Sequence, residues 1–259
     1  MQAAARRALA GGGVRARSER RGWRGAHAAG ARRSRRAAAT ETEAATGVEA
    51  AKEELFAALE GQERGIFGLT SEKRREIEEL VEAVVAYNPL PEPTARLEEV
   101  AGDWRLLYTT VTIRGRKKTR LGLRSLVELG EFYQHIDLAS STSLNVVCFS
   151  VAGLGSLKGS LTLEAKFSVA SPTRVDISLV RSELEPEQLQ SVFEENYDLL
   201  LEIFNPEGWL EICYVDESLR VGRDSSGHLF VLERAEDGAA CPLEAVSAGR
   251  SEAVDHPNE

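Results

Sequence analysis

Residues that build redox, metal and nucleophilic centres are scarce in this chain. Cys148, Cys213 and Cys241 are its three cysteines, far apart and without a C-x-x-C pair, which argues against a disulfide framework or a zinc knuckle. Cys148 and Cys213 fall inside alternating, strand-like runs and are expected to act as small buried hydrophobes. Four histidines leave little room for a metal cluster, and the G-x-S-x-G, H-E-x-x-H, P-loop and EF-hand patterns are all missing. Long apolar runs are missing too. The richest window, "VVCFSVAGLG", is about half of the roughly 18 to 20 residues that a spanning helix needs, so any membrane contact is expected to be peripheral.

Lysine is absent from residues 1–40, which carry eleven arginines and one acid, Glu19, among Ala, Gly and a few Ser. From residue 41 onward, 21 Lys and Arg face 40 Asp and Glu. The basic segment, with no apolar centre, has the composition of an organelle transit peptide rather than a secretory signal. The competing reading is a disordered basic arm for nucleic acid or an anionic surface. The acidic remainder offers no basic face for phosphates, so no nucleic-acid domain is expected. Length and an ordinary apolar share favour one main domain with appendages.

Helical spacing comes first along the chain. A short helix from about Val48 puts Leu55, Phe56 and Leu59 on one side and stops at Gly61. A second is predicted over 71–86, N-capped by Ser71, with Ile77, Leu80, Val81, Val84 and Val85 on one face and Pro89 as its stop. After the Pro-punctuated linker up to residue 100 the period switches to two. Strands are predicted at 104–110, 131–138, 143–151, 159–170, 174–183, 209–215, 218–223 and 228–234, with one more candidate at 119–124. Short turns between them favour an antiparallel meander that closes on itself over 101–236, and closure removes exposed edges. An amphipathic helix over 186–204 interrupts the meander as plug, lid or buttress, and residues 237–259 read as a disordered tail. The fold class is thus mainly β, an antiparallel barrel with an N-terminal helical segment over 48–100 and one inserted helix.

Three patterns imitate chemistry. "GLGSLKG" at 153–159 approximates a dinucleotide loop, but a strand follows it where a helix must begin, so a Gly-rich hairpin is expected. His135 and Asp137 in "YQHID" share one strand face and could make an acid/base pair; the alternation instead predicts Gln134, Ile136 and Leu138 inward and the pair in water. The glutamates around 183–195 read as an exposed charge run. In "GWLEICYVDESLRVGRDSSGHLFVL" two alternating strands flank the turns "VDES" and "RDSSGH", the second a hairpin around Gly227. Their arginines are expected to stack on an aromatic ring or pair with a carboxylate, with Trp104 and Asp216 available, and alternatively to anchor a polar headgroup or quinone oxygen.

"NPLPEP", "GDWRLLYTT", "GEFYQHIDL" and "NPEGWLEICYVDESLRVGRDSSGHLFVLER", in that order from about residue 50 to 234, resemble the plastid lipid-associated proteins, also called plastid fibrillins. The resemblance implies a lipocalin-like barrel, a cleaved plastid transit peptide, and residence at plastoglobules or thylakoid surfaces. It also implies that Gly102-Asp103-Trp104 matches the lipocalin G-x-W, whose tryptophan closes the barrel base against an arginine of a late strand, here Arg220 or Arg223. Asp216, Arg220, Arg223 and Gly227 match the family's pattern, and no catalytic set comes with it.

The resulting expectation is a non-catalytic protein that binds hydrophobic plastid lipids such as prenylquinones or carotenoids, or coats lipid surfaces, with no cofactor and no metal. Phe132, Ile136, Val147, Phe149, Leu161, Leu163, Phe167, Ile177 and Leu179 would line or pack the interior. The candidate ligand-binding residues are Trp104, Tyr108, Phe132, Phe149, Phe167, Asp216, Arg220 and Arg223, and binding would draw on about 25 cal/mol per Å² of buried apolar area. An enzyme acting on a bound isoprenoid would need His135, Asp137 or His228 facing inward. A protein partner would dock on the 71–86 or 186–204 helix.

Overall fold

A computed structural model describes residues 46–112, 127–151, 158–185 and 207–235. The basic segment 1–40, the candidate strand 119–124, most of "GLGSLKG", the 186–204 helix and the 237–259 tail lie outside the described residues. The chain divides into Met1–Gly47 and Val48–Glu259, and the architecture below belongs to the second unit.

Eight antiparallel strands follow one another: β1 (Gly102–Thr109), β2 (Val127–Asp137), β3 (Thr142–Val151), β4 (Lys158–Val169), β5 (Arg174–Glu185), β6 (Gly208–Val215), β7 (Leu219–Asp224) and β8 (Leu229–Arg234). Each pairs with the next, and β1 pairs with β8, so the sheet closes in a ring with no crossover. The meander expected from the short turns is therefore present. β3 and β4 pair antiparallel with Ser150 opposite Lys158, so the glycine-rich run joins a hairpin, not a strand to a helix. The β7–β8 hairpin turns at Gly227, whose φ of +81° is open to glycine at no steric cost. Asp224 Oδ1 accepts from the amides of Ser226 and His228 and fixes that turn.

Two helices cover one side of the ring. α1 (46–59) and α2 (Ser71–Val85) bury Leu55, Leu59, Ile77, Val81 and Val84 in one cluster with Tyr108, Tyr214, Leu219, Val221, Leu229 and Val231. Full burial of each such aliphatic side chain contributes about 1.5–3 kcal/mol. The N-cap of α2 is Thr70, not Ser71 as the sequence suggested: Thr70 Oγ1 accepts from the Lys73 amide at 3.2 Å, and Ser71 is the first helical residue. Because the sheet covers the Ile77, Val81 and Val84 stripe, that stripe is not a surface for a protein partner. Arg223 Nη2 pairs with Glu82 at 2.5 Å and Arg74 Nη2 donates to the Thr110 carbonyl at 2.8 Å, and both tie α2 to the strands. No helix among the described residues is long and apolar enough to cross a membrane.

A second buried cluster lies inside the ring. Trp104, Leu106, Phe132, Val147, Phe149, Leu161, Leu163, Leu184, Ile212, Val215 and Leu232 meet there, together with Ile66 and Val100 from outside the sheet. The linker before β1 contains a 3-10 turn, Pro93–Glu99, that seats Leu97 and Val100 against this cluster. Irregular register at Leu106/Tyr108 and at Ile212/Tyr214 shifts the alternation by one residue on β1 and β6. Trp104 and Leu106 consequently face the interior, while Tyr108 and Tyr214 face the helices.

Candidate ligand cavity and its buried arginine

Inside the ring lies a cavity of about 330 Å³. Its apolar wall includes Leu106, Phe132, Val147, Ile212, Phe230 and Leu232. Exposed residues Glu207 and Gly208 at the start of β6, and Ser225 and Ser226 in the β7–β8 hairpin, are also part of its lining and mark where it reaches the surface. Trp209 stands beside them with the Arg174 guanidinium 4.2 Å from its ring.

Polar groups gather at one place in the wall. Along the interior row Trp104 pairs with Gln134, and Gln134 with Asn145, on β1, β2 and β3. Gln134 Nε2 donates to Asn145 Oδ1 at 2.7 Å, and Gln134 Oε1 accepts from Arg220 Nη2. Arg220, 2 % exposed, comes from β7, where Leu219 and Val221 point to the helices and it points inward. Its guanidinium lies 4.8 Å from the Trp104 ring. Burial, reinforced by the positive charge of Arg234, pushes its pKa down to about 9, so it stays a cation at neutral pH.

Of the two arginines expected against Trp104, Arg220 is there and Arg223 is not, and Arg220 shares the ring with Arg234, at the end of β8. Arg234 stands 4.2 Å from the Trp104 ring and donates to the carbonyls of Glu99 and Ala101 at 2.8 and 2.9 Å. Trp104 Nε1 donates to the Val100 carbonyl at 2.9 Å. The tryptophan thus locks the 3-10 turn onto the end of the ring through Arg234, and sequence reading overlooked this residue. Its signal was the parity of "LFVLER": Phe230, Leu232 and Arg234 share the inward face of β8.

The other candidates are dispersed. Phe132 and Phe149 lie in the interior cluster, and Phe132 lines the cavity. Phe167 is half-buried near the far end of β4, opposite Ile177, and belongs to neither buried cluster. Tyr108 is on the outer face under the helices, where burial raises its phenol pKa. Arg223 is on the outer face with Glu82.

Asp216 is not in the cavity. Its carboxylate is 2.5 Å from Lys52 Nζ of α1, accepts from the Tyr214 hydroxyl, and receives the amides of Ser218 and Leu219 at 2.9 and 2.8 Å. Burial alone would raise its pKa; Lys52, Tyr214 and the two amides outweigh that and hold it below the ordinary carboxylate value. Lys52, 4 % exposed, was not foreseen as a functional or structural group.

The imitated catalytic groups have structural partners. His135 Nδ1 meets Asp103 Oδ1 at 2.7 Å in an exposed outward pair, while Gln134 and Ile136 face inward, as the alternation predicted. Asp137 accepts from the Ala139 amide and the Ser140 hydroxyl in the β2–β3 turn. His228 does line the cavity, with its Nδ1 2.9 Å from Asp224 Oδ2 of the same hairpin. Among the described residues no three His, Cys, Asp or Glu side chains gather as a metal site.

A closed all-antiparallel ring around a largely apolar cavity that reaches the surface is a shape compatible with one small ligand. The PAP_fibrillin family model matches residues 49–233, and the chain belongs to that family of plastid lipid-associated proteins. It is 30% identical to the chromoplast-specific carotenoid-associated protein C2 of an Oncidium hybrid cultivar, over 70% of this chain and 67% of that protein. It is 31% identical to a light-induced chloroplastic protein of Solanum tuberosum over 71% and 67%, and 29% identical to the chloroplastic plastoglobulin-1 of Pisum sativum over 76% and 65%. The relatives are thus chloroplastic or chromoplastic proteins, with a plastoglobulin among them.

Proposed function

We propose that this chain is a non-catalytic plastid protein whose ring is a lipocalin-like barrel that holds a hydrophobic plastid lipid. The observation that carries the reading is the cavity of about 330 Å³, walled by Leu106, Phe132, Val147, Ile212 and Phe230 and reaching the surface beside Trp209. Relatives named for carotenoid association and for plastoglobules support a lipid of the prenylquinone or carotenoid kind and an address at plastoglobules or thylakoids. The enzyme alternative keeps only His228, on the cavity wall with its ring on Asp224, because His135 and Asp137 are turned outward and engaged. The surface-coating alternative differs from the carrier in one measurable respect: it needs no cavity.

The test is to incubate the full chain with a total plastid lipid extract, re-isolate it, and identify bound molecules by mass spectrometry. A lipid enriched to about one per chain, lost when Val147→Phe narrows the cavity of a still-folded variant, is the expected result. Retention of the same lipids by the narrowed variant, or no enrichment over bulk lipid, would move the function to the outer surface.

A further inference from the structure

Arg220 is more than closure requires. Arg234 and the Trp104 indole N–H already join Trp104 to the 3-10 turn, and the donors of Arg234 go to main-chain carbonyls. Arg220 stands on the cavity side, and a guanidinium carries five N–H donors. Its partners are one amide oxygen, that of Gln134, and the face of Trp104. Among the described residues no carboxylate lies within salt-bridge distance of it. The charge that acts on it is the like charge of Arg234. Asp224, an acid in the same cavity wall, is engaged by the amides of Ser226 and His228 and by the His228 ring. A buried cation without a counter-ion is costly to the fold, and a planar fork with donors to spare is the group best matched to a carboxylate.

We propose that the cavity selects an amphiphile with a carboxylate head, seated on the Arg220 guanidinium beside the Gln134–Asn145 amides, with its alkyl chain along Phe132, Val147 and Ile212. This rests on the reading that the cavity holds a lipid and adds the chemistry of its head. A neutral prenyl lipid of equal chain would leave the cation as it is now, whereas an acid would neutralise it. The Gln134 amide completes the seat: its oxygen holds the guanidinium in place, and its nitrogen is held by Asn145.

The test uses the full chain and three probes of one chain length, decanoate, decan-1-ol and decylammonium, titrated at neutral pH below their micellar concentrations and followed by calorimetry. Decanoate is expected to bind about ten- to a hundredfold more tightly than decan-1-ol, the range of a charge-assisted hydrogen-bonded pair, and decylammonium more weakly than either. Arg220→Met is expected to collapse the difference between acid and alcohol. Equal binding of acid and alcohol by the native chain, or a preference that survives Arg220→Met, would overturn the carboxylate assignment and leave the lipid-carrier reading standing. Failure of all three probes to bind would overturn both. The comparison of charges on the native chain decides the matter even where the variant does not fold.

Discussion

Exchange of Asp216 for asparagine tests whether this residue anchors a helix or serves a ligand. The substitution keeps Oδ1 for the amides of Ser218 and Leu219, so the β6–β7 turn survives, and it removes the charge together with the Oδ2 acceptor of the Tyr214 hydroxyl. Lys52 Nζ is then left buried with one anion, Glu49 at 3.0 Å, whose side chain is 67% exposed. Breaking a buried ion pair costs about 3–5 kcal/mol, and an exposed pair contributes about 0–1 kcal/mol. The residual Glu49 contact therefore brings the expected loss to about 2–4 kcal/mol, or roughly 5–15 °C in Tm for a unit of this size. The double variant Lys52→Met/Asp216→Asn is expected to lose less than the sum of its parts, by at least about 1 kcal/mol. The carboxylate's folded pKa is depressed, so its stabilisation is present above the unfolded value near 4 and is lost as pH falls below about 4. Burial would lower the Lys52 pKa, but the Asp216 and Glu49 carboxylates raise it instead; its share holds below about pH 10.4 and is lost as pH rises through the raised value. Urea unfolding across pH 2–8 reads the acid limb. A variant within about 0.5 kcal/mol of native with an unchanged acid limb would refute the anchor.

Two further exchanges separate closure from decoration. Arg234→Ala removes the Trp104 stack and the donors to Glu99 and Ala101, and is expected to cost about 2–4 kcal/mol in urea unfolding, whereas Arg223→Ala removes an outer pair with Glu82 and is expected to cost about 1 kcal/mol or less. Gly65, at φ +76°, lies where an added Cβ would stand 2.5 Å from the Thr109 carbonyl oxygen and 2.6 Å from the Tyr108 ring, while at Gly61, φ +71°, the space is open. Gly65→Ala is expected to lower Tm well beyond Gly61→Ala, which carries backbone strain of about 1–2 kcal/mol alone; equal shifts would deny the close approach to β1.

The strand order was legible because its cause is local: alternation broken by Gly, Asp and Ser turns which, outside the β1–β2 and β5–β6 connections, are too short for a crossover. The faces were legible only where one side is wet. On β2 the parity of Gln134 and Ile136 against His135 and Asp137 holds, since no helix among the described residues covers His135. On β7 both sides are dry: α1 and α2 cover Leu219 and Val221 on one, and the cavity lies on the other. A strand buried on both faces carries no amphipathic record, so the choice between Arg220 and Arg223 could not be made from pattern. Tyr108 failed for another reason. Simple alternation puts it beside Trp104 and Leu106, but the irregularity between Leu106 and Tyr108 reverses the parity and leaves no mark in residue type.

The two arginines on Trp104 divide two tasks that a single residue could not perform together. Arg234 has three of its donors fixed on the carbonyls of Glu99, Ala101 and Glu217, a set that holds the 3-10 turn shut. Arg220, on the same ring from the cavity side, has one donor held by the Gln134 amide. Because like charges on one ring repel, the arrangement is not what closure alone would favour, and the contact of each guanidinium with the Trp104 ring offsets part of that cost. Anion binding would relieve that repulsion directly. Decanoate should therefore raise the Tm of the native chain and leave that of Arg220→Met nearly unchanged, a linkage that separates a seat in the cavity from detergent-like adsorption, which would shift both alike.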